Sequence, residues 1–245
     1  MTKFPEMFVA TLTKMIMPDW YIASFCTDYK IPVVWSEYAD GFKGVCLIFK
    51  TDESKASGRR GIRLFTSHSW SSEKGPIYEH HTETLHPVIY SQENVSFNFF
   101  EYLGSITEYQ LQEWTIDKQG NKSRYYIPEE KKEEWRQRYW ALFYRLATEK
   151  EQSWKAQEEM RVILMDIMFE KYDDITRRKI KYDFADLQGV IFGPKVEAAD
   201  RTKIIEILYK KCKENGRTDF EVYDSYQDTK NRKVEIYEAP DWKLE

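Results

Sequence analysis

Two short clusters of residues carry most of the chemistry this sequence could perform. In the first, Trp35-Ser36-Glu37-Tyr38-Ala39-Asp40 crowds a large aromatic, two carboxylates and a phenol into six positions. In the second, Glu159 and Arg161 lie two positions apart, shortly after Trp154. If that segment is a strand, both side chains project from one face, because strand residues alternate. A carboxylate and a guanidinium at the edge of an apolar strand should pair, and burial makes such a pair costly unless it serves a purpose. Two roles stay open: a working pair at a site, or an ion pair that holds a sheet to a helix.

Other chemistries find less support. His80, His81 and His86 are close in sequence, but their spacing matches no standard ligand pattern and no cysteine or carboxylate completes it, so no metal site is expected. His68, between Ser67 and Ser69, reads as an exposed histidine in a polar loop, with a base as the alternative. Gly41-x-x-Gly44 lacks the glycine pattern and the Lys-Ser/Thr pair of a phosphate-cradling loop. Nor is there a nucleophile elbow. The run Arg177-Arg178-Lys179 with Lys181 sits beside Asp173-Asp174 and reads as a solvated face. The neighbouring aromatics Tyr182 and Phe184 keep nucleic-acid binding as a second alternative.

The elements that must position these clusters are readable from periodicity. Phe4, Phe8, Leu12, Met15 and Ile16 fall on one helical stripe over 4–17, with Pro5 in the first turn. A strand is expected over Trp20–Cys26, then a turn at Thr27-Asp28 and a short helix over Pro32–Ala39. After Asp40-Gly41, the unbroken apolar run 44–49 predicts a strand buried on both faces and central in its sheet. A polar loop over Thr51–Arg60, a strand over Gly61–Phe65 and a second loop over Thr66–Gly75 follow, then strands at Pro76–His80 and Pro87–Tyr90. Val95–Leu103 reads as helix, and Asn121–Tyr126 as a polar hairpin or loop.

The best-marked helix starts after Pro128, with Glu129 and Glu130 complementing its dipole and Trp135, Tyr139, Leu142, Phe143 and Leu146 on one face to about Thr148. A strand is expected over Glu159–Met165, with a helix as the alternative at this length, and a strand over Leu187–Phe192, stopped by Gly193-Pro194. A helix capped by Asp200 and closed by Asn215-Gly216 comes next, and then an antiparallel pair, Phe220–Tyr223 with Lys233–Tyr237. Helices scattered irregularly among short strands indicate an α+β fold with a mixed or antiparallel sheet flanked by helices. With no repeat or linker, one domain over 1–245 is the expectation.

Composition sets the outer bounds. Of 245 residues 42% are hydrophobic and 16% aromatic, which is ample material for a core. A formal net charge of −4 gives no global attraction to phosphate backbones or anionic lipid. Three cysteines without a C-x-x-C pair fit reduced thiols and a cytoplasmic location, with Cys46 and Cys212 expected in the core. No run reaches the ~18–20 apolar residues of a membrane-spanning helix.

These patterns together resemble the bacterial domain-of-unknown-function family 2971. The resemblance rests on Ser24-Phe25 at a strand end, on Trp35-Ser36-Glu37-Tyr38-Ala39 and on Lys43-Gly44 opening an apolar strand. It continues through Val88-Ile89-Tyr90, then Lys150, Trp154, Glu159 and Arg161, and closes on Val190-Ile191-Phe192-Gly193, spanning roughly 20–208. Two departures matter. Gln157 stands where the family usually carries a further glutamate, and the family's opening Tyr-x-Tyr-Arg strand and Asn-Asp-Pro segment have no counterpart here. The chain is accordingly expected to be a fragment, a truncated member, or half of an assembly completed by a protein partner or second chain.

The resemblance implies an effector of a bacterial anti-phage defence or toxin system, similar in pattern to ADP-ribosyltransferases and acting on NAD or a nucleotide as substrate. It implies catalytic roles for Glu159, Arg161 and Tyr38, and substrate contacts from Trp35, Ser24, Glu37, Tyr90 and Trp154. In that chemistry a fixed carboxylate stabilises an oxocarbenium-like centre, as in glycoside cleavage. The competing expectation is a non-catalytic module that binds a protein or ligand.

Overall fold

The computed structural model describes residues 19–54, 57–93, 95–96, 104, 107–165 and 175–244. The helices expected at 4–17 and 95–103 lie largely outside these residues. In chain order the regular elements are β1 (Trp20–Cys26), α1 (Pro32–Tyr38), β2 (Val45–Phe49), β3 (Asp52–Glu53), β4 (Arg60–Ser71), β5 (Gly75–Thr84), β6 (His86–Pro87) and β7 (Ile89–Ser91). They continue with α2 (Glu108–Thr115), α3 (Glu129–Thr148), β8 (Glu149–Glu151), β9 (Glu159–Met165), β10 (Leu187–Phe192), α4 (Ala198–Asn215), β11 (Glu221–Asp228) and β12 (Lys233–Glu238). The fold is α+β. Among the described residues its strands form four small sheets, ordered β12-β11-β10-β2, β3-β4-β5, β1-β9-β6 and β7-β8. The chain divides into two compact units: Met1–Ile22, Val88–Gln152 and Ile163–Arg178 in one, Ala23–Pro87, Ser153–Val162 and Lys179–Glu245 in the other.

In the first unit, α3 buries Trp135, Tyr139, Leu142, Phe143 and Ala147 along one stripe. Phe143 is fully buried, with Trp20 edge-on at 5.2 Å and Trp140 at 5.5 Å. The sequence reading missed α2, although its signature is present: Thr107 accepts from the Gln110 backbone while the Gln110 side chain accepts from the Thr107 backbone. That reciprocal capping box marks a helix start from four residues.

The second unit is built on the mixed sheet β12-β11-β10-β2. Strand β10 pairs in parallel with β11 and antiparallel with β2, and its Val190, Ile191 and Phe192 are almost completely buried. Helix α4 covers one face through Leu208 and Cys212, which pack with Phe192, Phe220 and Val222. Its expected cap differs: Glu197 holds the N-cap position without a side-chain bond, and Asp200 lies in the first turn, where its charge still complements the dipole. Gly216 closes the helix at φ +60, as a left-handed C′ residue should.

Two further expectations are corrected. Strand β2 is not central: its one neighbour among the described residues is β10, none of its residues is fully buried, and Leu47 is 43% exposed. Val45 and Phe49 pack on the α4 side of the sheet, and Cys46 and Ile48 on the opposite side. The segment 66–75 is likewise no loop. Strands β4 and β5 form one long antiparallel hairpin, register Gly61↔Thr84 to Ser71↔Gly75, that carries His68 in a strand beside a bulge between Ser67 and Ser69. Period-2 alternation in so polar a stretch gives little hydrophobic signal, and the sequence reading had nothing apolar to follow. No helix among the described residues is long and apolar enough to cross a membrane.

Candidate functional site

A cavity of about 580 Å³ lies within the second unit. Its walls come from Ser24, Phe25 and Cys26 of β1, from Thr27 and Tyr29 beyond that strand, and from Val34 and Tyr38 of α1. Further lining comes from the β2 run Cys46-Leu47-Ile48-Phe49, Arg60 and Ile62 of β4, Leu85, and Gln157, Glu159 and Met160. The apolar continuity of β2, which looked like two buried faces, is partly the lining of this cavity. Size and lining are those of a small-molecule site: mostly apolar walls with a few convergent polar groups.

Glu159 supplies the main polar feature. Its carboxylate is 8% exposed, and Oε1 accepts from Ser24 Oγ at 2.6 Å and from Arg161 Nε at 2.8 Å. Arg161 Nη2 reaches Oε2 at 3.4 Å. The strand periodicity that sets Glu159 and Arg161 on one face is realised in β9, where Arg161 lies opposite His86 of β6. The carboxylate is thus held on two sides by donors, one neutral and one charged.

A second polar group comes from the residue read as a departure from the family pattern. Gln157 is 3% exposed, and its Nε2 donates to Glu37 Oε2 at 2.6 Å and to the Tyr38 hydroxyl at 3.4 Å. It ends a short 3₁₀ helix over Gln152–Gln157, and Glu158 then adopts φ +46. That left-handed residue swings the chain from helix into β9, so Gln157 and Glu159 both line the cavity. The sequence carried one signal for Gln157: a polar side chain at a position where an acid was expected.

The remaining candidates divide. Tyr38 lines the cavity with 66% of its surface exposed. Glu37 reaches the site through Gln157. Trp35, expected to stack on substrate, does not line the cavity: it is 3% exposed, packs with Phe42, Ile191 and Val234, and its indole N–H donates to the Tyr29 carbonyl at 2.6 Å. It anchors α1 from beneath, while Tyr38, the last residue of that helix, stays exposed. Trp154 is 40% exposed on the 3₁₀ helix and does not line the cavity either. Tyr90 belongs to the other compact unit, in β7, paired in register with Lys150 of β8.

Two thiols also line the cavity. Burial, and then the nearby Asp28 carboxylate, push the Cys26 thiol up. Burial, and then Cys26 itself, push the Cys46 thiol up to about 11. Both are free and half-buried, which corrects the expectation that Cys46 lies in the core, whereas Cys212 does. In the basic run, Arg178 stacks over the Tyr21 ring at 4.7 Å, and Lys181 forms a backbone bridge to Phe65.

A family model described as a protein of unknown function, DUF2971, matches residues 34–162. That span includes most of α1, the β4–β5 hairpin and the Gln157–Arg161 segment. No curated protein and no solved structure matches the chain.

Proposed function

We propose, from the premise that the chain belongs to the DUF2971 family of proteins of unknown function, that it is an enzyme cleaving or transferring a glycosyl bond of NAD or another nucleotide. The observation that carries this reading is Glu159: a carboxylate 8% exposed on the wall of a cavity, clamped by Ser24 and Arg161. Cleavage of a bond from ribose C1′ to a base sends the electron pair to the leaving group and leaves positive charge on the ring. A carboxylate fixed before the reaction stabilises that charge without reorganising. Phe25, Phe49 and Tyr29 supply aromatic surface for a base, and Gln157 and Tyr38 supply polar contacts at the wall. In this reading Arg161 positions Glu159. The role as effector in a bacterial defence or toxin system belongs to the same proposal and rests on the family resemblance.

One observation favours a second reading, a non-catalytic ligand-binding module. Oε1 of Glu159 already accepts two hydrogen bonds, as a structural carboxylate would. Incubation with NAD and a panel of nucleotides, with release of free base followed by chromatography and mass spectrometry, separates the two. The enzyme reading expects turnover by the wild type and its loss by a factor of 100 or more in Glu159→Gln. Binding without turnover in both proteins supports the module, and equal turnover in both removes Glu159 from the mechanism.

A further inference from the structure

The β4–β5 hairpin assembles a second cluster of titratable side chains that the cavity does not use. His68 Nε2 lies 2.7 Å from Glu83 Oε1, and Glu83, only 9% exposed, also accepts from Thr66 Oγ1. An ionised carboxylate only accepts, so Nε2 of His68 carries a proton in this bond, and it is the neutral ring whose Nδ1 offers a lone pair; the bond to Glu83 raises the His68 pKa. The His81 ring lies beside that of His68, centroid to centroid 4.3 Å and tilted by 49°. Neither ring nitrogen of His81 makes a hydrogen bond or ion pair among the described residues. The side chain of His68 is 54% exposed, so this pair is open to small ions from solvent.

We propose that His68 and His81 are the two protein ligands of a divalent transition-metal site, of the class zinc, nickel or copper(II) ions occupy. Two imidazoles sharing one ion at ~2.0–2.1 Å from each nitrogen hold their ring centres about 4.5–5 Å apart, a spacing close to the 4.3 Å observed. The bond from His68 Nε2–H to a buried carboxylate is the outer-shell arrangement that fixes tautomer and ring direction in histidine–metal sites. His68 lies at the irregularity between Ser67 and Ser69, and bulges re-aim side chains and often lie beside functional positions. No group of three or more His, Cys, Asp or Glu among the described residues is arranged to hold a metal. A site of these two ligands would thus be an open one, with its other positions left to water. The inference stands apart from the cavity and from the function proposed for it.

The test titrates the full, metal-free chain with zinc chloride, recording imidazole proton–nitrogen correlation spectra and calorimetry. One equivalent should bind, shifting the ring signals of His68 and His81 and leaving those of His80 and His86 in place. His68→Ala and His81→Ala should each weaken binding at least tenfold, His80→Ala should leave it unchanged, and Glu83→Gln should weaken it about 10–100-fold. The spectra of the unaltered chain carry the answer should a variant fail to fold. No binding, binding that leaves both rings unshifted, binding by the thiols of Cys26 and Cys46, or full binding in the double alanine variant each overturns the proposal.

Discussion

Ser24 and Glu159 stand 135 positions apart, yet the Ser24 hydroxyl donates to the Glu159 carboxylate at 2.6 Å. This contact joins the end of β1 to the start of β9 and fixes the acid that the proposed chemistry needs. Ser24→Ala should leave the fold intact, because Ser24 is exposed and a single such bond contributes about 1.5–3 kcal/mol at most. It should lower turnover, or ligand affinity if the protein only binds, by about tenfold or more, since Glu159 then loses one of the donors that fix it. Kinetics or calorimetry beside a thermal melt separates the two effects.

The Glu159–Arg161 pair makes a sharper prediction through a double-mutant cycle. Both side chains are largely buried, at 8% and 14% exposure. Arg161→Leu alone leaves a buried carboxylate without its cation and should cost about 3–5 kcal/mol of stability. Glu159→Leu combined with Arg161→Leu should recover much of that loss, because two apolar side chains carry no uncompensated charge. Recovery of stability with no recovery of activity identifies a pair retained for function. Chemical denaturation of the three variants measures the coupling, and additive losses would rule it out.

Trp35 is expected to behave as scaffold. Trp35→Ala should destabilise by about 3–5 kcal/mol, the range for removing a fully buried aromatic. Trp35→Phe should cost less in volume yet lose the bond to the Tyr29 carbonyl, leaving that acceptor unpaired. In the folded Phe variant, affinity for any cavity ligand should change by less than threefold, whereas Phe25→Ala or Phe49→Ala on the cavity wall should change it by tenfold or more. A larger affinity loss in Trp35→Phe than in the wall variants would return Trp35 to the ligand.

Much of this architecture was legible in the sequence because its signals are local. The β9 span and the one-sided placement of Glu159 and Arg161 follow from strand alternation, and α3 follows from a stripe of large apolar residues behind Pro128. What was not legible depends on partners. An apolar run such as β2 cannot state whether it is flanked by strands on both sides or by one strand and a cavity, and here residues of both its faces line the cavity. Trp35 could not be told from a ligand platform, because an aromatic beside polar residues reads alike whether the tryptophan or the tyrosine faces in. Gln157 stood out as a departure from the family pattern, but its role was not legible because it depends on Glu37, 120 positions away.

The thiols give a pH prediction with a definite sign. Alkylation proceeds through the thiolate, and a Cys46 thiol near 11 is about one part in a thousand ionised at pH 8. Its reaction with iodoacetamide should therefore be about 100-fold slower at pH 8 than that of an ordinary exposed thiol, and should accelerate about tenfold per pH unit up to pH 10. Peptide mapping by mass spectrometry resolves Cys46 from Cys26 and Cys212. A ligand filling the cavity should slow both lining thiols and leave Cys212 untouched, which makes alkylation a binding assay that needs no knowledge of the reaction.

Gly193 and Gly216 test how tightly the sheet is closed around the cavity. A Cβ on Gly193 would come within 2.3 Å of the Phe42 carbonyl oxygen and 2.7 Å of the Gly44 oxygen, both backbone atoms that cannot step aside. Gly193 also donates its N–H to Gly44 at 3.0 Å, tying the end of β10 to the turn that launches β2. Gly193→Ala must push that turn outward, and should cost about 3 kcal/mol while shifting the strand that carries Cys46, Leu47 and Phe49. Gly216 has a left-handed backbone but open space around its missing Cβ, so Gly216→Ala should cost only about 1 kcal/mol. The two variants should also part in function: the first should weaken any cavity ligand as well as the fold, and the second should lower the melting temperature alone. Equal melting temperatures, or an unchanged ligand affinity in a folded Gly193→Ala protein, would contradict the link between this turn and the cavity wall.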